Sequence, residues 1–126
     1  MIRAAVLLAS VCSLFALILF AGPSLAGQAD VLKVEAFRLN GTWSFSVTVA
    51  HGDEGWDHYA DAWQVVAPDG TVLGTRTLFH PHETEQPFTR SLGGVVIQDG
   101  ITEVTVRAHD KVHGYGGQEL TVTLPK

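Results

Sequence analysis

From residue 31 onward, apolar and polar residues alternate with a period of two in segment after segment, and no stretch shows a helical period. The clearest case is Thr42 to Val49. Trp43, Phe45, Val47 and Val49 fall on one face, and Thr42, Ser44, Ser46 and Thr48 on the other, which is the pattern of a half-buried strand. A weaker run over 31–39 precedes it and ends at Asn40-Gly41, a hairpin signal. A third strand is expected over 59–67, with Trp63 and Val65 on its inner face. Pro68-Asp69-Gly70 then turns the chain, because proline presets φ and glycine accepts a positive one. Further strands are expected over 71–79, 88–97, 101–108 and 118–124. Gly93-Gly94 marks a bulge in the fifth, Asp99-Gly100 a turn before the sixth, and Gly114 to Gly117 a flexible connection before the last. Seven short strands punctuated about every ten residues predict an all-β, antiparallel β-sandwich.

The first residues have a different character. Arg3 precedes an apolar run from Ala4 to Ala21, Gly22-Pro23 breaks it, and Ser24-Leu25-Ala26 offers the small residues of a cleavage site. The expectation is a secretory signal peptide over 1–26 and one β-sandwich domain over 27–126. Cleavage after Ala29 is the alternative, and an uncleaved membrane anchor the rival reading, since the run is about long enough to cross a bilayer. Cys12 is a poor lipoprotein cysteine, because Val11 precedes it and the apolar run continues beyond it. Cleavage removes the chain's one cysteine and one methionine, which leaves no disulfide and no sulfur ligand. The remaining residues carry seven Lys+Arg against thirteen Asp+Glu. That acidity argues against nucleic acid and against anionic lipid as partners. The expected location is periplasmic or secreted.

All six histidines lie in three short segments: His51 and His58 in HGDEGWDH, His80 and His82 in HPHE, His109 and His113 in HDKVH. In an up-and-down succession of strands, the three segments emerge at one end of the sandwich. Imidazole is the commonest protein ligand of transition metals. Parity adds to this. His51 continues the inward set of its strand, Asp110 continues the inward set of Val104, Val106 and Ala108, and Asp61 continues that of Trp63 and Val65. A buried histidine and a buried aspartate at one rim need each other or a cation. The candidate metal ligands are therefore His51, His58, His80, His82, His109, His113 and Asp110. The closest group is expected to join His51 with one of His80 or His82 and one of His109 or His113. Nitrogen and oxygen donors favour Cu(II) or Zn(II).

Other chemistry is weaker. Asp53, Glu54 and Asp57 lack the spacing of a calcium loop and read as a solvated acidic loop. There is no G-x-S-x-G and no serine beside a histidine in sequence, so an enzyme is the less favoured reading. Arg90 is expected to brace the preceding loop through Glu83 or Glu85. Trp56 is an apolar residue among charges, expected to cover the site, contact a partner or tuck into the core.

The tryptophan of the third strand and the final pair VTVRAHD and ELTVTL resemble an immunoglobulin-like or fibronectin type III-like sandwich, without the inter-sheet disulfide of antibody domains. GWDHYADAW and HPHETEQPFTRSL resemble segments of an uncharacterised family of small exported bacterial proteins, which implies export and a common fold but no activity. In broad class the chain is similar to periplasmic copper-resistance β-sandwich proteins. It departs from them in having no histidine at the mature N-terminus. The leading expectation is an exported protein that binds, delivers or senses a transition metal, with the metal ion and another periplasmic protein as partners. The alternatives are a metal-free interaction module using Trp56, Tyr59, Tyr115 and the same loops, and a small metalloenzyme with an open coordination position.

Overall fold

The computed structural model describes residues 27–126, so the expected signal peptide lies outside the described residues. Seven strands follow one another: β1 (Asp30–Leu39), β2 (Thr42–Ala50), β3 (Ala60–Val66), β4 (Val72–Thr77), β5 (Phe88–Val95), β6 (Glu103–Asp110) and β7 (Leu120–Thr123). They form two antiparallel sheets, ordered β1-β2-β5 and β4-β3-β6-β7. The described residues are all-β, as the alternation predicts.

The inner faces supply one core. Trp43, Phe45, Val47 and Val49 of β2 are buried at every second position, and across from them lie Trp63 and Val65 of β3 and Val104, Val106 and Ala108 of β6. Burial of these side chains is the main force holding the sheets together, at roughly 1.5–3 kcal/mol for each large apolar group. Asn40 (φ 54°) and Gly41 (φ 83°) close the β1–β2 hairpin in the conformation that a two-residue turn of this kind requires. The expected bulge at Gly93-Gly94 is present, where the β2–β5 register slips between Trp43 and Phe45.

Three departures from the sequence expectation shape the site. First, β6 does not stop at Ala108. Its ladder with β3 runs on through His109 and Asp110, so both are strand residues rather than loop residues. Second, β3 carries a bulge between Ala60 and Ala62. The extra residue shifts the parity, so Ala60 is buried and Asp61 turns outward, away from the core rim where uninterrupted alternation places it. Third, the β6–β7 connection is not a free linker. Val31 N–H donates to Gln118 O at 2.8 Å and Gln118 N–H to Asp30 Oδ1 at 2.7 Å, so the loop holds the start of β1 across the end of the sandwich.

Candidate metal centre

The β2–β3, β4–β5 and β6–β7 connections meet at one end of the molecule, and the histidines lie in or beside them. His51, immediately after β2, keeps the inward direction of its strand and is only 4% exposed. His58 comes from the same connection, which folds back on itself: Glu54 N–H donates to His58 O at 2.8 Å. Asp110, the last inward residue of β6, is fully buried. These three residues each offer a ligand atom within 4.8 Å of one another.

The orientation of the two rings is more informative than their proximity. His51 Nδ1 lies 2.5 Å from Asp53 Oδ1. His58 Nδ1 lies 2.8 Å from Glu54 Oε1. A carboxylate on Nδ1 holds the N–H there and leaves Nε2 as the donor atom for a metal. Both Nε2 atoms then face the same point. They are 3.3 Å apart, His51 Nε2 is 3.6 Å from Asp110 Oδ2, and His58 Nε2 is 3.5 Å from Asp110 Oδ1. Two nitrogens bound to one zinc at its usual tetrahedral geometry are separated by about 3.3 Å. The carbonyl oxygen of Gly27 closes the group, 3.0 Å from His51 Nε2 and 3.1 Å from His58 Nε2.

Electrostatics follow from this crowding. His58 is raised above the ordinary histidine value, chiefly by its hydrogen bond to Glu54, against the opposing effect of burial. Burial pushes the Asp110 carboxyl up, but hydrogen bonds from the His113 and Val112 amides and from the His113 ring outweigh it and hold the group below the usual carboxylate range. Those amides approach Oδ1 at 2.7 and 2.8 Å.

The remaining expected ligands are distributed around this group. His113 stands next to it: Nδ1 is 3.2 Å from both oxygens of Asp110, and its ring centroid is 5.1 Å from that of His58. His82 is buried and reaches the group indirectly, through Asp53, whose Oδ2 accepts its backbone N–H at 2.6 Å, and through Gln86, which donates to His82 O and accepts from His51 N–H, each at 2.9 Å. The ring of His82 stacks on Phe88 at 4.1 Å, and neither ring nitrogen has a hydrogen-bond partner among the described residues. Burial lowers its affinity for a proton, with Arg90 and His80 acting the same way. His80 is exposed at the outer side of His82, ring centroids 4.7 Å apart. His109 stands apart. It follows Ala108 in β6 and so faces outward, where Nδ1 meets Asp61 Oδ1 at 2.5 Å and the ring meets Tyr115 edge-on. The imidazoles that share the site are thus His51 and His58, with His113 as the third ring, and contrary to expectation neither His80 nor His82 joins them.

Two participants escape the sequence reading. Asp53, expected in a solvated loop, has a fully buried side chain. Its Oδ1 faces His51 Nδ1 and Ala60 N–H, and its Oδ2 accepts from His82 N–H. The spacing H-x-D after a strand was the available signal, since a short acid two residues on can turn back to the imidazole. Gly27 contributes a main-chain atom, for which no side-chain pattern exists. Arg90 pairs with Glu85, through Nη2 to Oε1 at 2.9 Å and Nη1 to Oε2 at 3.2 Å, and so braces the β4–β5 connection. Trp56 is 63% exposed, and its ring meets Tyr59 edge-on. A cleft at the opposite end, lined by residues of the Ala67–Thr71 and Val96–Ile101 segments, has no histidine in its lining.

No family model matches the chain, and no solved structure does. Over 96 residues, 75% of its length, the chain is 53% identical to a protein of Halomicrobium mukohataei named "Putative lipoprotein". The chain spans about half of that relative, 47% of its length, so the resemblance reaches one part of a longer protein.

Proposed function

We propose that this chain is an exported β-sandwich protein that binds a transition metal, Zn(II) or Cu(II), through His51, His58 and Asp110. One observation carries the reading: two imidazoles with Nδ1 committed to carboxylates turn both Nε2 atoms toward a buried carboxylate and a carbonyl oxygen. With Nε2 unprotonated, all four groups are acceptors, and acceptors at these distances repel. Something positive must lie among them. Either at least one ring carries a second proton, or a cation takes the place of such protons. Two buried carboxylates, Asp53 and Asp110, add to the demand. A divalent metal satisfies all of it with one ion, and nitrogen with oxygen donors suit Zn(II) or Cu(II).

Export rests on the apolar leader of residues 4–21 with its small-residue exit, and on the name of the similar protein. Cleavage after Ala26 fits the domain better than cleavage after Ala29. The later cut removes Ala29, a core residue 1% exposed, together with the Gly27 carbonyl. The strand orders β1-β2-β5 and β4-β3-β6-β7, with a buried Trp63 in β3, support an immunoglobulin-like or fibronectin type III-like sandwich. Binding, delivery or sensing of the metal is the role such a site serves.

A second reading has its own support. Each of the three connections at the histidine end carries a large exposed apolar residue: Trp56, Phe79 and Val112, at 63%, 77% and 59% exposure. These residues suit contact with another protein. Calorimetric titration of the exported, metal-stripped protein with Zn(II) and Cu(II) separates the two. Binding of one equivalent that is lost in His51→Ala/His58→Ala supports the metal site. Absence of binding in the wild-type protein refutes it and leaves the contact surface as the function.

A further inference from the structure

The start of the domain is seated on the histidine end with unusual closeness. Gly27 takes φ +87°, a conformation that favours glycine, and a Cβ there would lie 2.9 Å from His113 Cε1. Two residues on, Ala29 O approaches the β6–β7 loop so closely that a Cβ on Gly117 would lie 1.9 Å from it. The following residues are fixed by the Val31 N–H to Gln118 O and Gln118 N–H to Asp30 Oδ1 hydrogen bonds. Residues 27–31 therefore run in a groove whose floor has to be glycine. The result of this docking is one specific placement: the Gly27 carbonyl oxygen is held 3.0 and 3.1 Å from the two Nε2 atoms.

We propose that the Gly27 main-chain carbonyl oxygen is a ligand of the metal bound by His51, His58 and Asp110. This rests on the metal reading above. The edges of the group support it. His51 Nε2, His58 Nε2 and the Asp110 oxygens stand 3.3 to 3.6 Å apart, and the carbonyl lies at similar distances from both nitrogens. These are the separations of neighbouring ligands around a small divalent ion, about 3 Å and slightly more. A carbonyl oxygen is a neutral, hard donor, so the set becomes two nitrogens, one carboxylate and one amide oxygen, with no sulfur. The metal then ties the start of the chain to the connections that hold His51, His58 and Asp110. A site that includes residue 27 is complete only while residues 27–31 occupy the glycine-floored groove. The protein thereby couples metal binding to the docking of its own leading segment.

The test labels the carbonyl directly. Protein carrying ¹³C-carbonyl glycine and ¹⁵N glutamine gives two linked amide signals, from Gly27-Gln28 and Gly117-Gln118, the two Gly-Gln steps of the sequence. Gln118→Ala, at an exposed position held through its main chain, removes the second and so assigns the first. Zn(II) is titrated into the exported, metal-free protein while the imidazole signals are followed in parallel. The expected result is that the Gly27 carbonyl signal moves with the His51 and His58 signals at one equivalent. Gly117→Ala, which pushes Ala29 away, and Gly27→Ala, which strains φ, are expected to weaken Zn(II) binding at least about tenfold. If the imidazoles respond and the Gly27 carbonyl does not, the metal site stands and the carbonyl ligand is overturned. If no imidazole responds either, both the metal reading and this ligand fall. The labelled wild-type protein gives the answer even where a glycine variant fails to fold.

Discussion

Asp53→Asn is the most searching single substitution, because it changes one atom at the point where three segments meet. The carboxylate faces His51 Nδ1 at 2.5 Å, and accepts Ala60 N–H at 3.0 Å and His82 N–H at 2.6 Å, with no exposed side-chain surface. Asparagine keeps the shape but converts one oxygen to an NH₂ group. Whichever oxygen is lost, the new donor faces an existing donor. A hydrogen bond to a charged group contributes about 1.5–3 kcal/mol, and an unpaired buried donor costs a similar amount. The expected loss is about 2–4 kcal/mol, a large fraction of the roughly 5–15 kcal/mol that stabilises a domain. For a domain of this size that lowers Tm by about 10–25 °C. The second consequence is for metal. Asp53 fixes which nitrogen of His51 is protonated, and loss of such a partner weakens binding about 10–100-fold. Thermal unfolding followed by circular dichroism, with and without Zn(II), reads both effects. A variant that melts within about 3 °C of wild type, and responds to Zn(II) as wild type does, would show that Asp53 neither holds the connections nor orients the ring.

Other expectations are simpler. Trp63→Ala opens the centre of the core, where the side chain is fully buried, and should cost about 3–5 kcal/mol in denaturant unfolding. His109→Ala removes a ring that faces away from Asp110, so Zn(II) affinity should stay within about twofold of wild type; a larger loss places His109 in the site. The Zn(II)-induced rise in Tm should shrink as pH falls, because protons displace metal from imidazole. His58 is raised by Glu54, so the loss should begin above the ordinary histidine value of about 6.5 and move to lower pH in Glu54→Gln. His82 has the opposite sign. It is kept neutral in the fold, so the unfolded chain takes up its proton first, and this stability, present above about pH 6.5, is lost as pH falls through the lowered value. His82→Phe should keep the stack on Phe88, leave neutral-pH stability unchanged or better by up to about 2 kcal/mol, and flatten the acid side of the Tm–pH curve. An unchanged acid slope would remove His82 as its source.

The sequence by itself determined the sheet faces and the gathering of histidines. Alternation along Thr42–Ala50 fixed which residues of β2 are buried, and the same period carried beyond the strand placed His51 inward. It placed Asp110 inward for the same reason. The expectation of His109 as a ligand failed because β6 runs on past Ala108, and neighbours in a strand point to opposite faces. Period-two logic works where the ladder is unbroken. It failed at Asp61, because a bulge between Ala60 and Ala62 inserts one residue, and no local pattern announces that bulge. Loop connections follow no period, so their side chains were settled by tertiary contact. Folding of the β2–β3 connection on itself brought His58 to His51 and buried Asp53, while His82 was left to one side on Phe88 with His80 against its outer side. The contribution of Gly27 lay furthest from the sequence. Its carbonyl reaches the site because the segment leading into β1, with Gly27 24 residues before His51, crosses the β6–β7 connection, and Gly117 there lets the two backbones approach. Side-chain periodicity carries no information about a main-chain oxygen. Only the packing of one backbone against another decides where it points.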